Sequence, residues 1–208
     1  MILIGLLDSP FTRRVAIALA LRGIAFEHRA DRIREYSPLG RVPVLVFDDG
    51  EVLMESSSIL DWIEHETDGD ALLPAAGAAR REAMRLMGLA SGAADRGVAM
   101  VLERLFHAED KRSDALLARS QTQIDGAMAA LDAACAARDG QWLVSDAMTL
   151  ADITVACYAT YLKDAVPLEL SRWPALAAFV ARCEALDVFR AHYAPFYLPQ
   201  PKGAKDPA

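Results

Sequence analysis

Residues 2–67 alternate between short apolar runs and one-sided helical patterns, and from residue 80 onward the short runs stop. This change of period constrains the fold more than anything else in the chain. Side chains repeat every two residues along a strand and about every 3.6 along a helix. The run ILIGLL at 2–7 breaks off at Asp8-Ser9-Pro10, and FTRRVAIALALRG at 11–23 follows as a helix pattern that stops on Gly23. AFEHRA at 25–30 alternates again, as a second strand does. Strand, helix and strand this close predict a parallel pair joined by a right-handed crossover. VPVLVF at 42–47 and EVLME at 51–55 flank Asp48-Asp49-Gly50, a hairpin signal. SSSILDWIEHET at 56–67 puts Ile59, Leu60 and Ile63 on one face, with Ser56 or Ser57 available as the cap. A parallel pair, a hairpin and a closing helix, βαβ and then ββα, make the thioredoxin-like arrangement, which in full is βαβαββα with one more helix between the second and third strands.

The 208 residues suffice for two small domains. The first is expected over 1–72. A Gly-, Pro- and Ala-rich linker is expected over 73–79, and an all-α bundle over 80–208. Helices are expected over 80–106, 113–138, 149–163 and 174–186, the last opening on Pro174. A short piece follows at 188–192, and the Pro-rich end from 194 reads as irregular with mobile last residues. A net charge of −7 argues against nucleic acid or an anionic membrane as partner. No apolar run approaches the roughly 20 residues of a membrane span, and no leader pattern precedes the first strand. Cys135, Cys157 and Cys183 are odd in number and lack a CxxC spacing, so they read as reduced core filler, suited to the cytoplasm. His28, His65, His107 and His192 show no ligand spacing, and no metal site is expected.

Four short motifs remain. SPFTRRV follows the first run, with Ser9 at a helix N-cap position and Pro10 at the first helical one. RVPVL precedes the third run, and Glu55-Ser56 precedes the third helix. TLAD, Thr149 to Asp152, reads as a capping box, a folding element without a chemical role. In their order and spacing these motifs resemble the cytosolic glutathione transferases over nearly the whole chain. The resemblance is to a bacterial, serine-type member with the SPF motif of the plant tau class. That family often has Gly where this chain has Ser145, which implies mild strain there if the position needs a positive φ.

The resemblance implies a site. It implies a cis Val42-Pro43 bond whose freed main chain pairs with the cysteinyl part of glutathione. Arg41 would meet the glycine carboxylate, unless it is a solvated loop residue. Glu55 and Ser56 would take the γ-glutamyl ammonium and carboxylate. Ser9 would donate to the sulfur and hold the thiolate, with Thr12 on the same helical turn as the alternative donor. Arg13 and Arg14 read either as a solvated face or as positive charge close to the thiolate, which Asp8 opposes. A second substrate, a small apolar electrophile, would sit between the halves against Phe11, Arg96, Met100, Tyr158 and Tyr161, although the tyrosines also suit core packing. Glutathione is then a co-substrate, no metal takes part, and a homodimer formed along the long helix is expected. The competing readings are a transferase-like binding protein without catalysis and a glutathione-dependent isomerase or dehalogenase.

Overall fold

A computed structural model describes residues 1–198. The first part runs β1 (Ile2–Ile4), α1 (Pro10–Leu21), β2 (Glu27–Arg29), α2 (Ile33–Tyr36), β3 (Val44–Val46), β4 (Val52–Met54) and α3 (Ser56–Glu66). The sheet order is β2-β1-β3-β4, with β1 and β2 parallel and the other two pairings antiparallel. The crossover through α1 makes the first pair parallel, and the 48–50 turn, with Gly50 at φ 90°, makes the last antiparallel. Every strand is shorter than its apolar run. β1 ends at Ile4 because Gly5 turns the chain at φ 153°, and α1 closes over that turn. A Cβ at Gly5 would lie 2.4 Å from Thr12 Oγ1 and 3.0 Å from Val42 Cβ, so no other residue fits there unchanged.

Neighbouring strand residues serve opposite faces. Leu3 and Leu45 join the main core with α1 and α3, whereas Ile4, Val44 and Val46 form a smaller cluster that Ile33 and Tyr36 of α2 cover. The second part holds α4 (Gly77–Phe106), α5 (Asp114–Ala136), α6 (Leu150–Ala165), α7 (Pro174–Glu184) and α8 (Asp187–Ala191). α4 begins at Gly77, three residues before the expected start at Arg80. In α6 every residue except Lys163 and Asp164 is buried, as in a helix surrounded by protein, and it packs against α1, α4 and α7. The main core is therefore continuous from the sheet to α7. Leu72 helps to join the parts. Its N–H donates to both oxygens of Glu64 on α3 (2.8 and 3.1 Å), and its C=O accepts from Leu150 N–H at the start of α6 (2.8 Å).

Thr149 and Asp152 form the capping box of α6. Asp152 accepts from the Thr149 N–H and hydroxyl (2.7 Å each) and also from Leu143 N–H at 2.8 Å, which ties down the preceding loop. Ser145 is unstrained. Among the described non-glycine residues only Arg32 and Glu55 take positive φ. Of the Pro-rich end, 194–198 form no helix or strand, and 199–208 lie outside the described residues.

Candidate functional site

The strand register gathers three of the motifs at one edge of the sheet. Ile4 pairs with Val44, and Val44 pairs with Met54. The turn after β1, the residues before β3 and the start of α3 must therefore lie side by side. Val42-Pro43 is cis, and the Val42 main chain makes no turn or loop hydrogen bond among the described residues.

Ser9 is the N-cap of α1 by position but not by its hydroxyl. Its N–H donates to Leu6 C=O (3.1 Å) and its C=O accepts from Arg13 N–H (2.9 Å), yet the side chain makes no capping bond. This differs from the expected cap. Ser9 is half-buried, and among the described residues its hydroxyl has no hydrogen-bond partner, at a helix start whose first turn contains no acidic side chain. Thr12 is fully buried, with its hydroxyl turned in against Gly5 and without a partner among the described residues.

Arg13 and Arg14 do not form a solvated face; both are buried. Arg13 donates to Glu184 of α7 through both terminal nitrogens (2.7 and 2.6 Å) and to the carbonyls of His192 and Phe189. Burial lowers its pKa and the Glu184 hydrogen bonds raise it, and the balance lies above the usual value. Its charge is thus neutralised at the junction with α7 and α8. Arg14 points the other way. It donates through Nη2 to Ser56 Oγ (2.6 Å) and through Nη1 to Thr154 Oγ1 on α6 (3.4 Å), and lies 5.2 Å from the Tyr158 ring centre.

Glu55, at φ 69° and ψ 130°, occupies the N-cap position of α3, and Ser56 is the first helical residue. Neither Ser56 nor Ser57 caps the helix with its side chain, and no acid occupies its first turn. The strained backbone at Glu55 is of a kind that concentrates at functional sites. The Glu55 carboxylate lies 3.6 Å from Arg41 Nη1, with the side chains 43% and 58% exposed. The two charges expected at opposite ends of one ligand thus face each other, in a solvated pair that contributes little to stability.

The five residues expected around a second substrate are spread over several environments. Phe11 lies 5.0 Å, ring to ring, from Tyr158. Tyr158 is fully buried and its phenol is pushed up to about 12 by burial, so it serves as core. Met100 is also core, and Tyr161 is nearly so. Arg96 lines a separate groove between α4 and α5 with Gly92, Gln123 and Ala127. The sequence names Asp8 only as a charge opposing Arg13 and Arg14, and does not point to Phe196 and Tyr197 as neighbours. Phe196 packs edge-on to Tyr161 at 5.6 Å, and Asp8 accepts from Tyr197 N–H at 3.3 Å. Burial raises the Asp8 pKa above the usual carboxylate value. Leu7, Asp8, Pro10, Tyr161 and Phe196 line a narrow crevice beside the Ser9 turn. Only the aromatics of an otherwise irregular tail hinted at this. Among the described residues no His, Cys, Asp and Glu cluster could hold a metal ion, and no helix is long and apolar enough to cross a membrane.

Residues 3–71 match the family model for the glutathione S-transferase N-terminal domain, and residues 94–187 match that for the C-terminal domain. The chain is 34% identical over 167 residues to the uncharacterized GST-like protein YibF of Escherichia coli, covering 77% of this chain and 81% of that one. It is 29% identical over 203 residues to a maleylpyruvate isomerase of Ralstonia sp, covering 88% and 91%. It superposes at a TM-score of 0.85, with 32% identity, on a glutathione S-transferase from Methylobacterium radiotolerans in complex with glutathione sulfonate. That match covers 100% of this chain and 98% of the other.

Proposed function

The chain belongs to the glutathione S-transferase family, and we propose that it binds glutathione at the sheet edge and activates its thiol with Ser9. The observation that carries this reading is the free Ser9 hydroxyl at the start of α1, beside the cis Val42-Pro43 turn and the uncapped start of α3. The main chain before Pro43 suits the cysteinyl peptide, and Ser56 with the open N–H groups of α3 suits the γ-glutamyl carboxylate. Glutathione held by the relative from Methylobacterium radiotolerans, as its sulfonate, supports the same ligand here.

A free thiol has a pKa of about 8.5 and is mostly protonated at neutral pH. A hydrogen bond to a charged acceptor is worth about 1.5–3 kcal/mol, enough to bring that pKa to about 7. Ser9 is a donor in this scheme and no general base is needed. The helix start adds a smaller favourable term. Thr12 is the weaker candidate because its hydroxyl is sealed against Gly5. The thiolate then adds to a small apolar electrophile. The Ralstonia relative favours a second reading, a glutathione-dependent isomerisation that begins with the same thiolate.

Retention on immobilised glutathione comes first, and a chain that passes unretained sinks both readings. Ser9→Ala should still bind glutathione while conjugating an aryl halide about tenfold or more slowly, the weight of one hydrogen bond to a charge. Its pH–rate curve should move to the alkaline side. An unchanged rate and profile would make Ser9 a helix-start residue only. Turnover of a cis-enone acid with glutathione regenerated, and none of the halide, would favour the isomerase.

A further inference from the structure

Three charged side chains reach the narrow crevice beside the Ser9 turn: Asp8, Arg13 and Asp164. Leu7, Tyr161 and Phe196 give its walls their apolar surface. Two of the charges are answered close by. Arg13 donates to both oxygens of Glu184, and Asp164 has Lys163 Nζ at 3.4 Å. Asp8 forms no ion pair among the described residues. Its half-buried carboxylate accepts from the Tyr197 N–H at 3.3 Å, and burial raises its pKa. Its charge reaches across the crevice, where it adds to burial in raising the pKa of the Tyr161 phenol. A charge beside apolar walls acts on its neighbours more strongly than one in open water. Both acids take donors from the irregular segment 193–198. Asp164 accepts from the Tyr193 hydroxyl at 3.1 Å and Asp8 from the Tyr197 N–H. These are single neutral donors from exposed residues, and a charged donor on a ligand forms the stronger bond.

We infer that Asp8 is a specificity-determining residue for the electrophile: the crevice takes an apolar body that ends in an amine or an amide and turns away one that ends in a carboxylate. The inference rests on the glutathione reading above and narrows its second substrate to an uncharged or cationic one. Rejection of the like charge does as much here as attraction of the opposite one. With a benzyl halide, the carbon–sulfur bond forms as the carbon–halogen bond breaks, and the halide leaves with the bonding pair. Asp8 takes no part in that exchange and acts only on the far end of the electrophile.

Titration calorimetry at about pH 7, where a carboxylate is ionised, tests this without turnover. The ligands are glutathione and three S-benzylglutathiones, which stand for the conjugated product and carry an aminomethyl, a carbamoyl or a carboxylate group at the para position. The wild type should bind the aminomethyl compound about tenfold or more tightly than the carboxylate, with the carbamoyl compound between them. Asp8→Asn keeps an acceptor for the Tyr197 N–H and removes the charge. It should bring the three compounds within about threefold of one another, as a coupled pair does once one partner is gone. Ratios among the three cancel any general loss of affinity. Asp164→Asn should keep most of the wild-type preference, because Lys163 already answers that acid. Wild-type protein that binds the three compounds alike overturns the inference. So does an Asp8→Asn chain that shifts all three equally, which would make Asp8 a strut for 193–198, or an Asp164→Asn chain that alone abolishes the preference. Wild-type protein that binds neither glutathione nor any of the three sinks the glutathione reading itself, an outcome separate from any order among the ligands.

Discussion

A serine at a helix start ordinarily turns its hydroxyl back onto the helix. Ser9 leaves it free, while its main chain alone holds the turn. Sequence reasoning could place Ser9 at a helix start beside a strand end, but not the direction of its hydroxyl, because that depends on how the chain turns at Gly5. Gly5 is the sharper determinant. Gly5→Ala should cost about 1–3 kcal/mol in denaturant unfolding, from a side chain forced to φ 153° and pressed against Thr12. A stability within 0.5 kcal/mol of wild type, roughly the range of an inert surface change, would refute that account. Arg13 and Arg14 were the least legible residues. Two adjacent arginines at a helix start read either as a solvated face or as charge beside the thiolate, and it is partners 140 and 171 residues away, Thr154 and Glu184, that hold them inside.

The order of the elements could be read from period and punctuation, because apolar runs bounded by Asp-Ser-Pro or Asp-Asp-Gly leave the chain few choices. Their lengths could not. Each strand stops when its neighbour does, and pairing partners are not visible in a local pattern. The helices fared better, since caps are local, and α6 shows why. Its box, Thr149 with Asp152, stands in the sequence as TLAD, whereas the bond from Leu143 N–H to Asp152 joins a residue nine positions upstream and was not foreseen. Asp152→Ala strands two buried N–H donors at once. It should destabilise the chain by about 2–4 kcal/mol, more than a surface cap does. Asp152→Asn should fall between, because it keeps one acceptor oxygen. Urea midpoints compare the three, and equal midpoints would show that the box does not hold α6.

At the scale of the whole molecule, one core runs through both halves, and the contacts between α1, α7 and α8 close it. His192 lies at that closure, its carbonyl bound by Arg13 and its ring 6.1 Å from Phe26. Burial first, then Arg13 and His28, lowers the pKa of His192 below 6.5. The unfolded chain therefore takes up a proton near pH 6.5 that the folded chain resists, and stability falls as the pH drops from about 6.5 through the lower folded value. His192→Asn should flatten that slope in chemical denaturation between about pH 6.5 and 5, leaving the pH 8 value nearly unchanged. An unaltered slope would assign the acid sensitivity elsewhere. The continuous core also sets a timetable for synthesis. The face of α1 that meets α6 is synthesised 129 positions ahead of Leu150, counted from the end of α1 at Leu21. At about 5–20 residues per second the nascent first half waits on the order of ten seconds with that face uncovered. During that interval the growing chain depends on chaperones, or on its own transient contacts, to keep apart from its neighbours.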